Sequence, residues 1–160
     1  MNNFPWDDLP TSNGAALARA TKALIAIKQG TLSLDQLTLE QRYALFAPVP
    51  NCLREVLGWF RKYDTTPPTN PDPWAAAIYP ALSAVDGLMP ALIQGYDSKL
   101  KYSLSMPKTN DYQALDQLYD TVSKQLLDQQ NNARDPQFWD YSQDFEHAVN
   151  LIKAVKDLIY

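Results

Sequence analysis

"PDPWAAAIYPALSAVDGLMPALIQGY", residues 71–96, is the stretch whose reading decides the fold. Its length admits a bilayer crossing, because about 20 apolar residues span the hydrocarbon core. Its details favour burial in protein. Asp86 lies near the middle, where a carboxylate costs about 2.5–3.5 kcal/mol on insertion scales. Much of the run is alanine, which drives insertion far less than leucine. No basic cluster flanks it to set an orientation. Pro80, Gly87 and Pro90 interrupt it and predict two short helices broken near Asp86-Gly87. An all-round apolar helix needs cover on more than one side. That cover is expected from the chain's own core, with part of the face open to a partner, since interfaces favour Trp, Tyr and Met.

Immediately upstream, "DTTPPTNPDP" (64–73) carries four prolines. Helix does not run through such a segment, so it reads as a stiff connector between a front section, 1–63, and a back section, 74–160. Asp72 followed by Pro73 is an N-cap with proline at N1. Further punctuation falls at Gly30, at "APVPN" (47–51) and at "MPKTN" (106–110).

The front predicts about three helices. Residues 13–29 place Leu17, Ala20, Leu24 and Ile27 on one arc at about 100° per residue, and Gly30 is a suitable C′ glycine. "TLEQ" (38–41) is a capping box opening a short helix through Phe46. Residues 51–63 carry Leu53, Val56, Leu57 and Phe60 at i, i+3, i+4 and i+7. In the back, 111–130 aligns Tyr112, Leu115, Leu118, Tyr119, Val122 and Leu126. The stretch 136–159, opened by Asp135-Pro136, aligns Phe138, Tyr141, Phe145, Val149, Ile152, Val155 and Ile159. A short connection between amphipathic helices predicts antiparallel packing. The fold expected is all-α: one domain over 1–160, a compact bundle of about five to seven helices with a proline-rich connector near 64–73.

The bulk composition agrees. A chain of 160 residues with 46% hydrophobic side chains can bury a core unaided. Cys52 is the single cysteine, which excludes an intramolecular disulfide and a cysteine-based zinc site. "MNNFPWDDLP" lacks a basic n-region and a long apolar run, so no signal peptide is expected, and a reducing cytoplasm fits.

Chemistry is sparse. His147 is the single histidine and projects onto the polar arc of its helix, where a surface histidine is the expectation. Cys52 sits at the edge of an apolar arc, as a small hydrophobe does. Asp116 and Asp120 are i, i+4 neighbours, but hard cations want about six oxygens, and no "DxDxDG" loop occurs. "GxxxxGK[ST]", "GxGxxG" and "GxSxG" are absent. The expectation is therefore a non-enzymatic protein with no cofactor and no metal.

Other features point to interaction. "FPWDDLP" (4–10) sets Phe4, Trp6 and Leu9 beside two aspartates. Such a segment docks in a partner's groove or folds back onto its own core. Trp74 opens the apolar stretch, and Trp139 projects onto an arc with Gln143, Glu146 and Asn150; tryptophan is enriched among binding hot spots. The expected function is an intracellular protein-binding module: an adaptor, assembly factor, inhibitor or small subunit. The alternative is a helical subunit of a nucleoprotein complex. Residues 1–62 carry seven basic and five acidic side chains, against four and nine in 109–160. Arg19, Lys22, Arg42, Arg54, Arg61 and Lys62 are the candidate phosphate contacts; the acidic pI of about 4.8 weighs against them.

Overall fold

Caps set where the helices begin and end, in a computed structural model that describes residues 10–63, 72–95, 110–132 and 136–159. Ser12 accepts from the Ala15 amide at the start of α1, Asn13–Gln29, and Gly30 closes it in the left-handed region at φ 79°. A short 3-10 turn, Leu34–Gln36, carries its own capping box from Ser33 and Gln36. Thr38 and Gln41 cap each other reciprocally at α2, Leu39–Phe46. α3 is Val49–Lys62. It begins two residues before the expected start, because Pro50 stands in the first turn, where its missing N–H is no loss. α4 is Pro73–Gln94, opened by Asp72 and closed by Gly95 at φ 75°. α5 is Asn110–Asn132 and α6 is Gln137–Ile159. Among the described residues there is no strand. Of the proline-rich stretch, residues 64–71 lie outside the described residues.

The break expected near Asp86-Gly87 does not occur: α4 runs unbroken through Pro80, Gly87 and Pro90. The reason lies in which side of the helix meets water. Ala76, Tyr79, Pro80, Ser83, Asp86, Gly87, Pro90 and Gln94 are all exposed and recur at helical spacing, so they form one stripe. Each proline strips the carbonyl four residues back of its donor, at Ala76 and Asp86. Both residues are exposed, so water supplies the missing bond. An internal proline costs about 3 kcal/mol. The opposite face buries Leu82, Val85, Leu88, Met89 and Leu92, each adding about 1.5–3 kcal/mol, which outweighs the two prolines. The stretch Trp74–Gln94 has the length and hydropathy of a membrane span, and half of it is covered by the protein.

α2, α3 and α5 provide that cover. α3 and α4 are antiparallel, as Arg54 pairs with Asp86 and Arg61 with Asp72. α5 and α6 are antiparallel as expected: Gln130 donates to Glu146 at one end (3.1 Å) and Lys156 to Asp116 at the other (3.0 Å). Burial alone would lower the Lys156 ammonium. The hydrogen bond and charge of Asp116, helped by Tyr112 and Asp157, outweigh it and hold the group above its ordinary value. α1 lies along α6 and also meets α3 and α2. One apolar core draws on every helix.

Two arginines tie helix ends together. Arg42 donates to the carbonyls of Ile93 (2.6 Å), Leu37 (2.6 Å) and Leu34 (3.3 Å). It thereby fills the last turn of α4 and the turn before α2, where a cation also suits the helix dipole. Arg19 is buried and donates to the Ala44 carbonyl, 2.7 Å away, in the last turn of α2. Burial draws its guanidinium below its ordinary value, and it stays charged. Arg42→Ala should cost about 2–3 kcal/mol and lower Tm by roughly 4–12 °C in a chain of this size. Arg42→Lys should recover little of it, because one ammonium lacks the planar fork. Thermal unfolding followed by circular dichroism checks both.

Candidate functional site

The aromatic side chains of α3, α4 and α6, with Tyr63 at the end of α3, form a continuous seam that starts in the core and reaches the surface. Trp74 meets Phe60 edge-on (5.4 Å between ring centres). Phe60 lies 4.8 Å from Phe145, and Phe145 lies 5.7 Å from Phe138. Tyr63 bridges Phe138, Phe145 and Tyr141. The seam surfaces at Trp59 and Tyr141, which stack at 5.6 Å with planes 15° apart. Trp59 is 42% exposed and Tyr141 is 37% exposed. Lys62 lies over the Trp59 ring at 4.2 Å, a cation–π contact. A second exit is Trp139, 53% exposed and edge-on to Phe138.

The Trp59–Tyr141 stack forms one wall of a cleft of about 530 Å³. Three helix segments build it. α3 contributes Cys52, Val56 and Trp59, at i, i+4 and i+7. α6 contributes Tyr141, Asp144 and Phe145, and the chain entering α1 contributes Pro10, Thr11, Ser12 and Asn13. Gly14 allows the close approach of α1 to α6: a Cβ there would meet the Asp144 carboxylate and lie 3.0 Å from its Cα. On the other side of α3, a groove of about 340 Å³ opens towards α4 over Gly58, between the Arg54–Asp86 pair and Arg61, with Tyr79 70% exposed beside it.

The expected contact residues fall in different places. Phe4, Trp6 and Leu9 lie outside the described residues. Trp139 is exposed. Trp74 is 5% exposed and serves the core, so it offers no contact surface. The six basic residues do not assemble into one open face. Arg19 and Arg42 turn inward to carbonyls, Arg54 and Arg61 are paired with aspartates, Lys62 covers Trp59 and Lys22 alone is simply exposed on α1. Trp59 is not among the expected contact residues. The available signal was an aromatic about 110° off its helix's apolar arc, with a lysine at i+3.

The Cys52 thiol of the cleft is not activated for covalent chemistry. Burial, and then the charge of Glu55, push the Cys52 thiol up, away from the reactive thiolate. His147 is half-buried rather than fully exposed, and it does not line the cleft that Cys52 borders. Asp116 is engaged by Lys156, and the described residues hold no cluster of three or more metal-ligating side chains. Comparison with known protein families, characterised proteins and solved structures finds no match.

Cys52 gives a direct check on these electrostatics. Its folded-state pKa is raised, so at neutral pH its alkylation by iodoacetamide should be slower than in the unfolded chain. Glu55→Gln removes one of the two causes and should speed the reaction in the folded protein. Equal rates for the folded parent and Glu55→Gln would contradict the assignment.

Proposed function

We infer that this chain is a non-catalytic, cytoplasmic protein-binding module. It works as one compact helical bundle in which the proline-rich stretch 64–73 joins the front helices to the back ones. The observation that carries this reading is the stacked Trp59–Tyr141 pair, two large amphipathic rings left open beside a cleft. Such rings bring wide contact area with little conformational freedom to lose on binding. Tyr63 packs against Tyr141 and against Phe145 behind it, which supports the stack from the core side. A peptide segment with apolar side chains is the chemistry that fits this cleft. Trp139 and the α3–α4 groove are secondary contact elements.

The nucleoprotein alternative has less support, because the cations it needs are engaged elsewhere in the fold. Binding through apolar anchors depends little on salt, whereas phosphate contacts weaken steeply as salt rises.

A photo-crosslinking amino acid at Trp59, in the native host, should capture one protein reproducibly. The same probe at Lys153, exposed on α6, should not. Trp59→Ala should lower co-purification of that protein by about tenfold or more, the loss of an anchor worth at least about 1.4 kcal/mol. Nuclease treatment should leave recovery unchanged. Loss of the partner on nuclease treatment would replace this reading with the nucleoprotein one, and equal capture from both positions would end it.

A further inference from the structure

We propose that the partner of the α1–α3–α6 cleft is an extended peptide that carries an acidic side chain at one end of a short apolar stretch and a basic side chain at the other. The proposal rests on the protein-binding reading and names the chemistry of the partner. Its ground is a row of four side chains: Lys62, Trp59, Tyr141 and Asp144. Lys62 lies 4.2 Å from the centre of the Trp59 ring, and Trp59 stacks on Tyr141 at 5.6 Å. Asp144 follows Tyr141 at i+3, on the same side of α6. Trp59, Tyr141 and Asp144 all line the cleft. Two aromatic rings thus separate a cation from a carboxylate.

These two charges differ from the arginines of the front half, which are bonded to carbonyls or aspartates. Neither Lys62 nor Asp144 has an ion-pair partner among the described residues. Helix ends favour both. Lys62 stands in the last turn of α3, and the Asp144 carboxylate lies at Gly14 in the first turn of α1, which has no acidic residue of its own. A helix dipole favours a charge without using up its hydrogen bonds. The ammonium therefore keeps donors to give, and the carboxylate keeps lone pairs that accept.

The geometry sets the form of the peptide. Two turns of helix, about 10–12 Å across and about 11 Å long, fill roughly 1,000 Å³. The cleft holds about 530 Å³, so extended chain is the form that enters. Taking about 5–6 Å between helix neighbours three apart, with the two measured steps, the charges stand on the order of 15 Å apart at most. Extended chain, rising about 3.3 Å per residue, covers that in about five residues. Apolar side chains between the charges meet Val56 and Phe145 beside the stack. A wholly acidic or wholly basic segment would set like charges together at one end, which disfavours it.

The test pans a random phage-displayed dodecapeptide library on the full-length chain. Clones that also bind Trp59→Ala or Thr11→Trp are discarded. The second variant sets a bulky side chain on the exposed rim of the cleft and leaves the core alone. The clones that remain should carry an acid and a base within about five positions of each other, with apolar residues between. A synthetic copy of the most frequent clone, titrated by calorimetry, should lose about three- to tenfold in affinity for Asp144→Asn and about two- to fivefold for Lys62→Gln. In Asp144→Asn, replacing the peptide's base by alanine should cost nothing further, and in Lys62→Gln the same should hold for its acid. A merely structural role for either residue would not produce that pairing. Cleft-dependent clones without the charge pair overturn the proposal and leave the cleft a peptide site. So does a peptide base whose loss costs the same with and without Asp144. If no clone depends on the cleft, the protein-binding reading fails and takes this proposal with it.

Discussion

The fold depends on α4 hiding one face while it exposes the other. The helix carries two internal prolines, a glycine and an aspartate, and the stripe that holds them is the one that meets water. Had Pro80 or Pro90 pointed inward, its orphaned carbonyl would have been buried without a donor, at a further cost of about 1–3 kcal/mol. As the stripe falls, water satisfies those carbonyls. Leu82, Val85, Leu88, Met89 and Leu92 form an uninterrupted face for α2, α3 and α5. Asp86, costly in lipid, meets Arg54 instead.

The charged residues follow from the same arrangement. Short helices end against one another, and their last carbonyls need donors. Arg19 serves α2, and Arg42 serves α4 and the turn before α2. Asp72 accepts from the Trp74 amide to start α4 and pairs with Arg61 of α3. The basic lean of the front half is thus largely spent on architecture. The large aromatic left open on α3 is Trp59, and it lies where α3 meets α6.

The parts of this structure that local chemistry controls were legible in the sequence. The Thr38–Gln41 capping box, Gly30, Asp72-Pro73 and the apolar arcs of α5 and α6 each depend on neighbours within one or two turns. The continuity of α4 was not legible, because the cost of a proline depends on which side is solvated, and tertiary packing sets that. Arg19 and Arg42 looked like surface cations for a related reason: Arg19 serves a carbonyl 25 residues away, and Arg42 serves one 51 residues away besides two nearer ones. Trp74 looked like a contact residue because its core partner, Phe60, belongs to another helix. The Trp59–Tyr141 stack joins residues on helices that only the fold brings together.

The central claim is that α4 is one helix shielded by protein, and native-state hydrogen exchange tests it most directly. In aqueous buffer without detergent, the amides of Leu82–Val85 and Leu88–Leu92, Pro90 having none, should share one high opening free energy, as parts of one cooperative unit. Fast exchange confined to residues 86–88 would restore the broken helix. Protection that appears only when micelles are added would show that lipid, and not the neighbouring helices, covers this face.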